Sequence, residues 1–268
     1  MTAEVVENTI ARRTGSLPAA CLHLLGLTLR RQIFSRQTLV CLALTTLCAL
    51  IVVAWSHQRA PTAKKLAEHV LMASYIGFLM PIFAISYGAS GIGGEREDRT
   101  LIYLLIVPIP RAVLYLTKAF ATLLLVAAWT AASLALLCLL ASSYGRELFP
   151  IFLAPSLLGV TLYASLFLLL GATFRHGTII SLAYWFFLEV LFGAMPGIVK
   201  RLTVAYYVKC VIYENGQELR LTPVGRVARE TFLAIPGSTA TWAMAIAAAL
   251  LLMLGAAVLS TREYAELG

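Results

Sequence analysis

Residues 38–55 read TLVCLALTTLCALIVVAW, eighteen residues without a charge, closed by a tryptophan. A bilayer crossing needs ~20 apolar residues, and tryptophan favours the water boundary, so Thr38 to Trp55 reads as a membrane span. The rest of the chain repeats the pattern. Of 268 residues, 60% are hydrophobic and 13% charged, against about 45–50% and ~25% in a soluble domain. Six spans would use about 120 residues, leaving ends and connections too short for a soluble enzyme domain as well. The fold class expected is an all-α polytopic membrane protein, one transmembrane domain over 1–268.

Upstream of this span, Arg12 and Arg13 precede an apolar run from Leu17, which superficially resembles a signal peptide. The run carries His23, ends at Arg30 and Arg31 and lacks a small-x-small cleavage site, which argues against that. Leu22, Leu25, Leu29 and Ile33 share one side of a helical wheel, with Thr28, Arg31 and Ser35 on the other. Residues 17–36 are therefore expected to form an amphipathic interfacial helix.

Downstream, the spans expected are 70–92, 119–142, 151–174, 178–199 and 241–259. Tyr144 to Glu147 reads as a tight turn. Pro155 falls near the first turn of the fourth span, where proline costs little. Arg175, His176 and Gly177 form a three-residue connection, which makes spans four and five antiparallel neighbours. Residues 200–238 are polar and are read as an extracytoplasmic segment. Within it, Val208 to Tyr213 and Gln217 to Leu221 are strand-like around Asn215 and Gly216, the pair that suits a type I′ turn, so a small hairpin is expected.

Charge sets orientation. With the N-terminus inside, eleven basic residues fall on the inner side, among them Arg30, Arg31, Arg36, Arg96, Arg99, Arg111, Lys118 and Arg175. The short outer loops hold Arg59, Lys64, Lys65 and Arg146; residues 200–238 add six more, but long connections follow the charge bias less strictly. Both termini are expected in the cytoplasm and the protein in a cytoplasmic membrane. The net charge of +8 is read as this loop bias; nucleic acid is not an expected partner. The five cysteines form no CxxC and four lie in or beside apolar runs, so they read as core fillers, with no metal site and no cofactor expected.

The stretch that carries functional information lies between spans two and three. The small residues Gly88 to Gly94 end the second span and allow close helix contact. Five consecutive charges follow: Glu95, Arg96, Glu97, Asp98 and Arg99. Then come a Leu-rich segment, Leu101 to Val107, the corners Pro108 and Pro110, Arg111, and an amphipathic stretch to Lys118. Paired opposite charges on a short helix at the inner surface offer directional contacts to a soluble partner, and proline corners stiffen the loop so that displacement reaches both spans. The bland alternative is a solvated helix cap with pairs such as Glu95 and Arg99.

This stretch resembles the first cytoplasmic loop of ABC-transporter permeases of the type-2 exporter class. The match rests on Gly94, Glu95, Arg96, Glu97, Asp98, Thr100, Leu101, Leu104, Leu105, Pro108, Arg111 and Lys118; Arg99 and Thr117 stand where the family pattern has glycine. The resemblance implies a short cytoplasmic coupling helix between spans two and three. It also implies a separate nucleotide-binding ATPase subunit docked on Glu95 to Arg99 and Arg111, and a second permease copy or sister permease completing the pathway. The substrate stays unidentified. The chain has no Gly-x4-Gly-Lys-Ser/Thr and is not expected to hydrolyse ATP or to hold a catalytic residue.

Two other classes fit these residues less well. An intramembrane protease needs carboxylate and histidines together at depth, whereas His23, His57, His69 and His176 scatter near span ends. An ion-coupled secondary transporter needs an intramembrane charge, which Glu189 supplies, but no internal repeat accompanies it. Glu189 is expected to be a pathway residue or a buried polar group bonded to Tyr163, Thr161 or Ser165, because an ionised carboxylate at mid-bilayer costs at least ~2.5 kcal/mol.

Overall fold

The computed structural model describes residues 17–57, 62–97, 110–195, 198–221, 232 and 234–261. Among them all regular structure is helical. Helix α1 is Leu17–Ile33 and α2 Arg36–Ser56. Helix α3 covers 63–97, α4 is Arg111–Leu140, α5 Ser143–Thr173 and α6 Gly177–Phe192. A 3-10 turn, Ile198–Leu202, leads to α7, Val204–Asn215, and then to α8, Gly237–Thr261. Among the described residues five helices (α2, α3, α4, α5 and α8) are long and apolar enough to cross a membrane. Helix α6 is apolar but only about 24 Å long at 1.5 Å per residue, short of a ~30 Å hydrocarbon core.

Helix α5 is the axis of the bundle, packed against α3, α4, α6, α7 and α8. Its buried face includes Phe152, Val160, Tyr163, Phe167 and Leu168. Other helices of the bundle turn large apolar side chains outward instead, such as Leu47 and Leu50 on α2 and Trp242 and Met253 on α8, as helices facing lipid do. A second, smaller apolar cluster joins Ile92, Leu114, Tyr115, Ala119, Leu168, Ala172 and Leu259 at the end of the bundle that carries α1.

Helix α3 is wound partly as a π-helix, over Leu66–Leu79 and Ile85–Ala89. The Met80 N–H, for example, donates to the Tyr75 carbonyl five residues back. Pro81 lies between these stretches. It has no N–H for the Gly77 carbonyl four residues earlier, and that oxygen accepts instead from Trp185 Nε1 at 3.3 Å, tying α6 to α3.

Several boundaries differ from the sequence reading. The second span starts at Ala63 rather than 70, because Thr62 caps it by accepting from the Lys65 N–H. The stretch from Arg111 to Lys118 is the start of α4 itself. Tyr144 to Glu147 lies inside α5; the turn is made by Ala141 and Ser142, the latter at φ 56°. Pro155 consequently stands well within α5, not in its first turn. The fifth span, read as 178–199, leaves helical geometry after α6. On α1 the expected stripe divides: Leu29 packs inward with Leu24, Thr28 and Gln32, while Leu22 and Ile33 are exposed beside Leu27 and Phe34.

The largest correction concerns 208–221. Val208 to Tyr213 belong to α7 and not to a hairpin strand, and Gly216 ends that helix with its N–H donating to the Ile212 carbonyl. A β-branched run was the strand signal. Tertiary burial overrode it: Val208, Cys210, Val211 and Ile212 are all buried in the helix.

Candidate functional site

Two regions gather polar groups, one at each end of the bundle. At the α1 end, the small residues closing α3 let it approach α5 to backbone distance. A Cβ on Gly88 would lie 3.2 Å from the Ala164 carbonyl oxygen, one on Gly93 3.3 Å from Gly171 Cα, and one on Gly171 2.5 Å from the Ala89 carbonyl oxygen. Polar ties fasten the same end of α3 to the start of α2: Ser90 Oγ donates to Gln37 Oε1 at 3.0 Å, and Thr38 and Tyr87 share a hydrogen bond of 3.0 Å. Gln32 Nε2 of α1 donates to Thr122 Oγ1 of α4, also at 3.0 Å, in a gap beside Gly91. One turn before Thr122, Lys118 is 1% exposed, a cation held inside the bundle.

This is the base from which the charged loop springs. The helix carrying Glu95, Arg96 and Glu97 is described to Glu97, and α4 restarts after Pro110 with Arg111 exposed. Asp98, Arg99 and the coupling helix expected near 101–107 lie outside the described residues, as do the side chains of Glu95, Arg96 and Glu97. Sequence reasoning missed Gln32, Gln37, Ser90 and Thr122; polar side chains recurring where spans one to three begin or end were the available signal.

At the opposite end, Glu189 sits where α6 stops. Its carboxylate accepts from the backbone N–H of Val204 at 2.7 Å and of Ala205 at 3.3 Å. Thr203 completes the cap, with Oγ1 accepting from the Tyr206 N–H at 3.3 Å and donating to the Lys200 carbonyl at 2.8 Å. The first-turn donors of α7, which have no partner within the helix, are thus bound by two side chains. A carboxylate at a helix N-terminus also meets the positive end of the helix dipole. The hydroxyls of Thr161 and Ser165 donate within α5, to Leu157 and Thr161 carbonyls, and are not Glu189's partners. Tyr163 lies beside the carboxylate, although its hydroxyl closes no hydrogen bond of ordinary geometry. At the far end of α7, the Gly237 N–H donates to Glu214 Oε2, so this helix is fastened to α6 at its start and to α8 at its end. Thr203→Ala is expected to lower the melting free energy by ~1 kcal/mol, the usual value of an N-cap hydroxyl, measurable by thermal unfolding in detergent.

Beside the cap opens a cavity of about 260 Å³, walled by Glu68, Met72 and Ala73 of α3, Glu189 and Gly193, Lys200, Thr203, and α7's Ala205, Tyr206, Lys209 and Tyr213, with Phe232 across from them. Phe232 packs tilted against Tyr206 and edge-to-face against Tyr213, with ring centroids 5.2 and 5.3 Å apart. Burial pushes the Lys209 ammonium below the ordinary lysine range; the Glu189 carboxylate opposes this and neighbouring Lys200 adds to it. Burial likewise pushes the Tyr213 phenol up. Among the described residues no three His, Cys, Asp or Glu side chains come together as a metal site, and Cys41, Cys48, Cys138 and Cys210 are free and buried.

Comparison with known families matches residues 27–204, about two thirds of the chain, to the model described as "ABC-2 family transporter protein". A comparison with curated proteins found no match. The matched range runs from within α1 to the first residue of α7, so it contains the α3–α5 contact, the charged loop and Glu189. With long apolar helices packed round α5 and this match across the greater part of them, the chain belongs to the ABC-2 transporter family, as a multi-pass membrane permease of an ABC transporter.

Proposed function

We propose that this permease is the membrane subunit of an ATP-driven exporter, that a separate nucleotide-binding subunit docks on its 95–111 loop, and that two permeases together enclose the pathway. Family membership implies the ATPase partner. The observation that carries the docking site is the construction of the loop's base. The end of α3 is held to α5 at backbone distance and to α2 by hydrogen bonds, while α1 is tied to α4 through Gln32 and Thr122, so a push on the charged segment moves several helices together rather than bending one. Close-packed interiors transmit displacement in this way. The charge bias of the short connections supports a cytoplasmic side for the loop, α1 and both termini, in a cytoplasmic membrane. In that setting the outward apolar side of α1, with Leu22, Leu27 and Phe34 exposed, rests on the inner membrane surface.

Reversal of Glu95 and Glu97 to lysine tests this reading. Both lie at the water boundary, so folding and insertion should hardly change. Reversing one side of a desolvated charge pair costs ~2–5 kcal/mol, and the variant should accumulate normally yet no longer co-purify with its ATPase or stimulate ATP hydrolysis. A solvated helix cap would lose only a few tenths of a kcal/mol. Normal ATPase retention by the double-reversed permease would remove the docking assignment.

A further inference from the structure

The cavity beside α7 is lined by four charged side chains whose charges are not equally committed. Glu189 is spent on two backbone N–H groups, and Glu68 pairs with Lys64 at 3.7 Å. Lys200 and Lys209 are half-buried and close no ion pair with any described residue. They come from different elements, the 3-10 turn and α7, yet line the same space, where Lys209 is attracted by the Glu189 carboxylate and repelled by Lys200. The Glu189 carboxylate offsets part of this repulsion, but its oxygens are already bound by two backbone N–H groups, so a further negative group that bridges both ammonium groups is favoured in this partly desolvated pocket.

The rest of the wall is mainly apolar and aromatic, with Met72, Ala73, Tyr206, Tyr213 and Phe232 among its residues and Thr203 as its polar member. At about 260 Å³ the space is smaller than the ~300–1,000 Å³ of sites that enclose a drug-sized ligand, and it suits a head group rather than a whole amphiphile. Apolar side chains continue outside it: Ile198 and Leu202, on either side of Lys200 in the 3-10 turn, are 70% and 63% exposed.

From this arrangement we propose that the cavity is a binding site for an anionic head group, a phosphate or carboxylate, gripped by Lys200 and Lys209 while its apolar continuation lies along Ile198 and Leu202. Two ammonium groups on one anion form charge-assisted hydrogen bonds, the strong kind. The aromatic wall shields them from water on one side. That this anion belongs to the transported molecule rests on the export reading; that the site binds it does not.

The test uses the purified full-length permease in dodecyl maltoside without its ATPase, so that its outcome is separate from coupling. Three probes are titrated: dodecyl phosphate below its micellar range, dodecyltrimethylammonium, and sodium phosphate, with thermal stabilisation as the readout. Dodecyl phosphate should bind saturably and the ammonium amphiphile should not. Lys200→Gln and Lys209→Gln should each weaken binding on the order of tenfold, whereas the arginine versions keep it. Lys65→Gln removes the same charge from an exposed position outside the cavity and should leave binding unchanged. Stabilisation by sodium phosphate with the same lysine dependence would assign the site to free anions, and stabilisation by dodecyl phosphate alone would assign it to amphiphiles. Absence of binding by either phosphate, equal binding of the cationic amphiphile, or equal losses in Lys65→Gln and Lys200→Gln would overturn the proposal. If the glutamine variants fail to fold, wild-type discrimination between dodecyl phosphate and dodecyltrimethylammonium still decides it.

Discussion

Replacement of Glu189 by alanine is expected to release the start of α7 and cost about 3–5 kcal/mol. The side chain accepts from Val204 and Ala205 N–H, both buried, and a buried donor left without a partner costs ~1–3 kcal/mol, with more where the lost acceptor is charged. Nothing else described can take over, since Thr203 is already engaged with Tyr206 and Lys200. The change can be read locally at Cys210. That thiol is in α7, is 2% exposed, and burial pushes its pKa up, so in the native protein it should react slowly with a soluble maleimide. Labelling of Cys210, followed by mass spectrometry, should accelerate strongly in Glu189→Ala. Glu189→Gln keeps an acceptor oxygen without the charge and should fall between. Equal labelling of wild type and Glu189→Ala would show that the carboxylate does not hold α7.

The second large effect is expected at Gly171. Its missing side chain is what lets the Ala89 carbonyl approach, and an added Cβ would lie 2.5 Å from that oxygen and 3.3 and 3.4 Å from the rest of the Ala89 backbone. Backbone on both sides cannot yield as a flexible side chain would. Gly171→Val must therefore part α5 from α3, opening the Gly88 and Gly93 contacts with it, and overpacking of this kind costs ~1–3 kcal/mol or more. The opposing contribution is helix propensity, where alanine in place of glycine gains about 1 kcal/mol. Gly26 isolates it: nothing lies within 4 Å of its added Cβ. Gly26→Ala should raise the melting temperature slightly, Gly171→Ala should lower it, and Gly171→Val should fail to accumulate. A Gly171→Ala protein as stable as Gly26→Ala would show that the α3–α5 contact has room to spare. The same variants probe the loop's transmission, because a parted α3 no longer moves with α5.

The local periodicities that a single stretch contains were legible, and those that depend on a partner were not. Span one was readable because Thr38 to Trp55 has no charge to lose and ends in an interfacial ring. The antiparallel pairing of α5 and α6 followed from a three-residue connection. The small residues at 88–94 announced close contact, although their partners, Ala164 and Gly171, are far away in sequence. For Glu189 the sequence showed a carboxylate inside an apolar run and offered Tyr163, Thr161 or Ser165 as its partners, whereas the donors are the backbone N–H groups of a helix that the sequence presents as a strand. Val208 to Tyr213 carry the β-branched and aromatic residues of a strand, and only the cap from Thr203 and Glu189, with burial of nearly every face, selects the helix. Lys200 and Lys209 looked like two of six loop bases until the fold set them against one cavity.

Sequence alone therefore determined that the chain lives in a bilayer, roughly where it crosses, and, through Glu95 to Arg111, which family's loop it carries. These are properties of contiguous residues, since transfer of an apolar stretch out of water is decided by that stretch. The tertiary structure decided the identity of α7, the partner of Glu189, the backbone contact at Gly171 and the convergence of the two lysines. Each of these depends on free energies between residues distant in sequence, where burial and unsatisfied polar groups outweigh the few tenths of a kcal/mol by which local propensity prefers one backbone conformation over another.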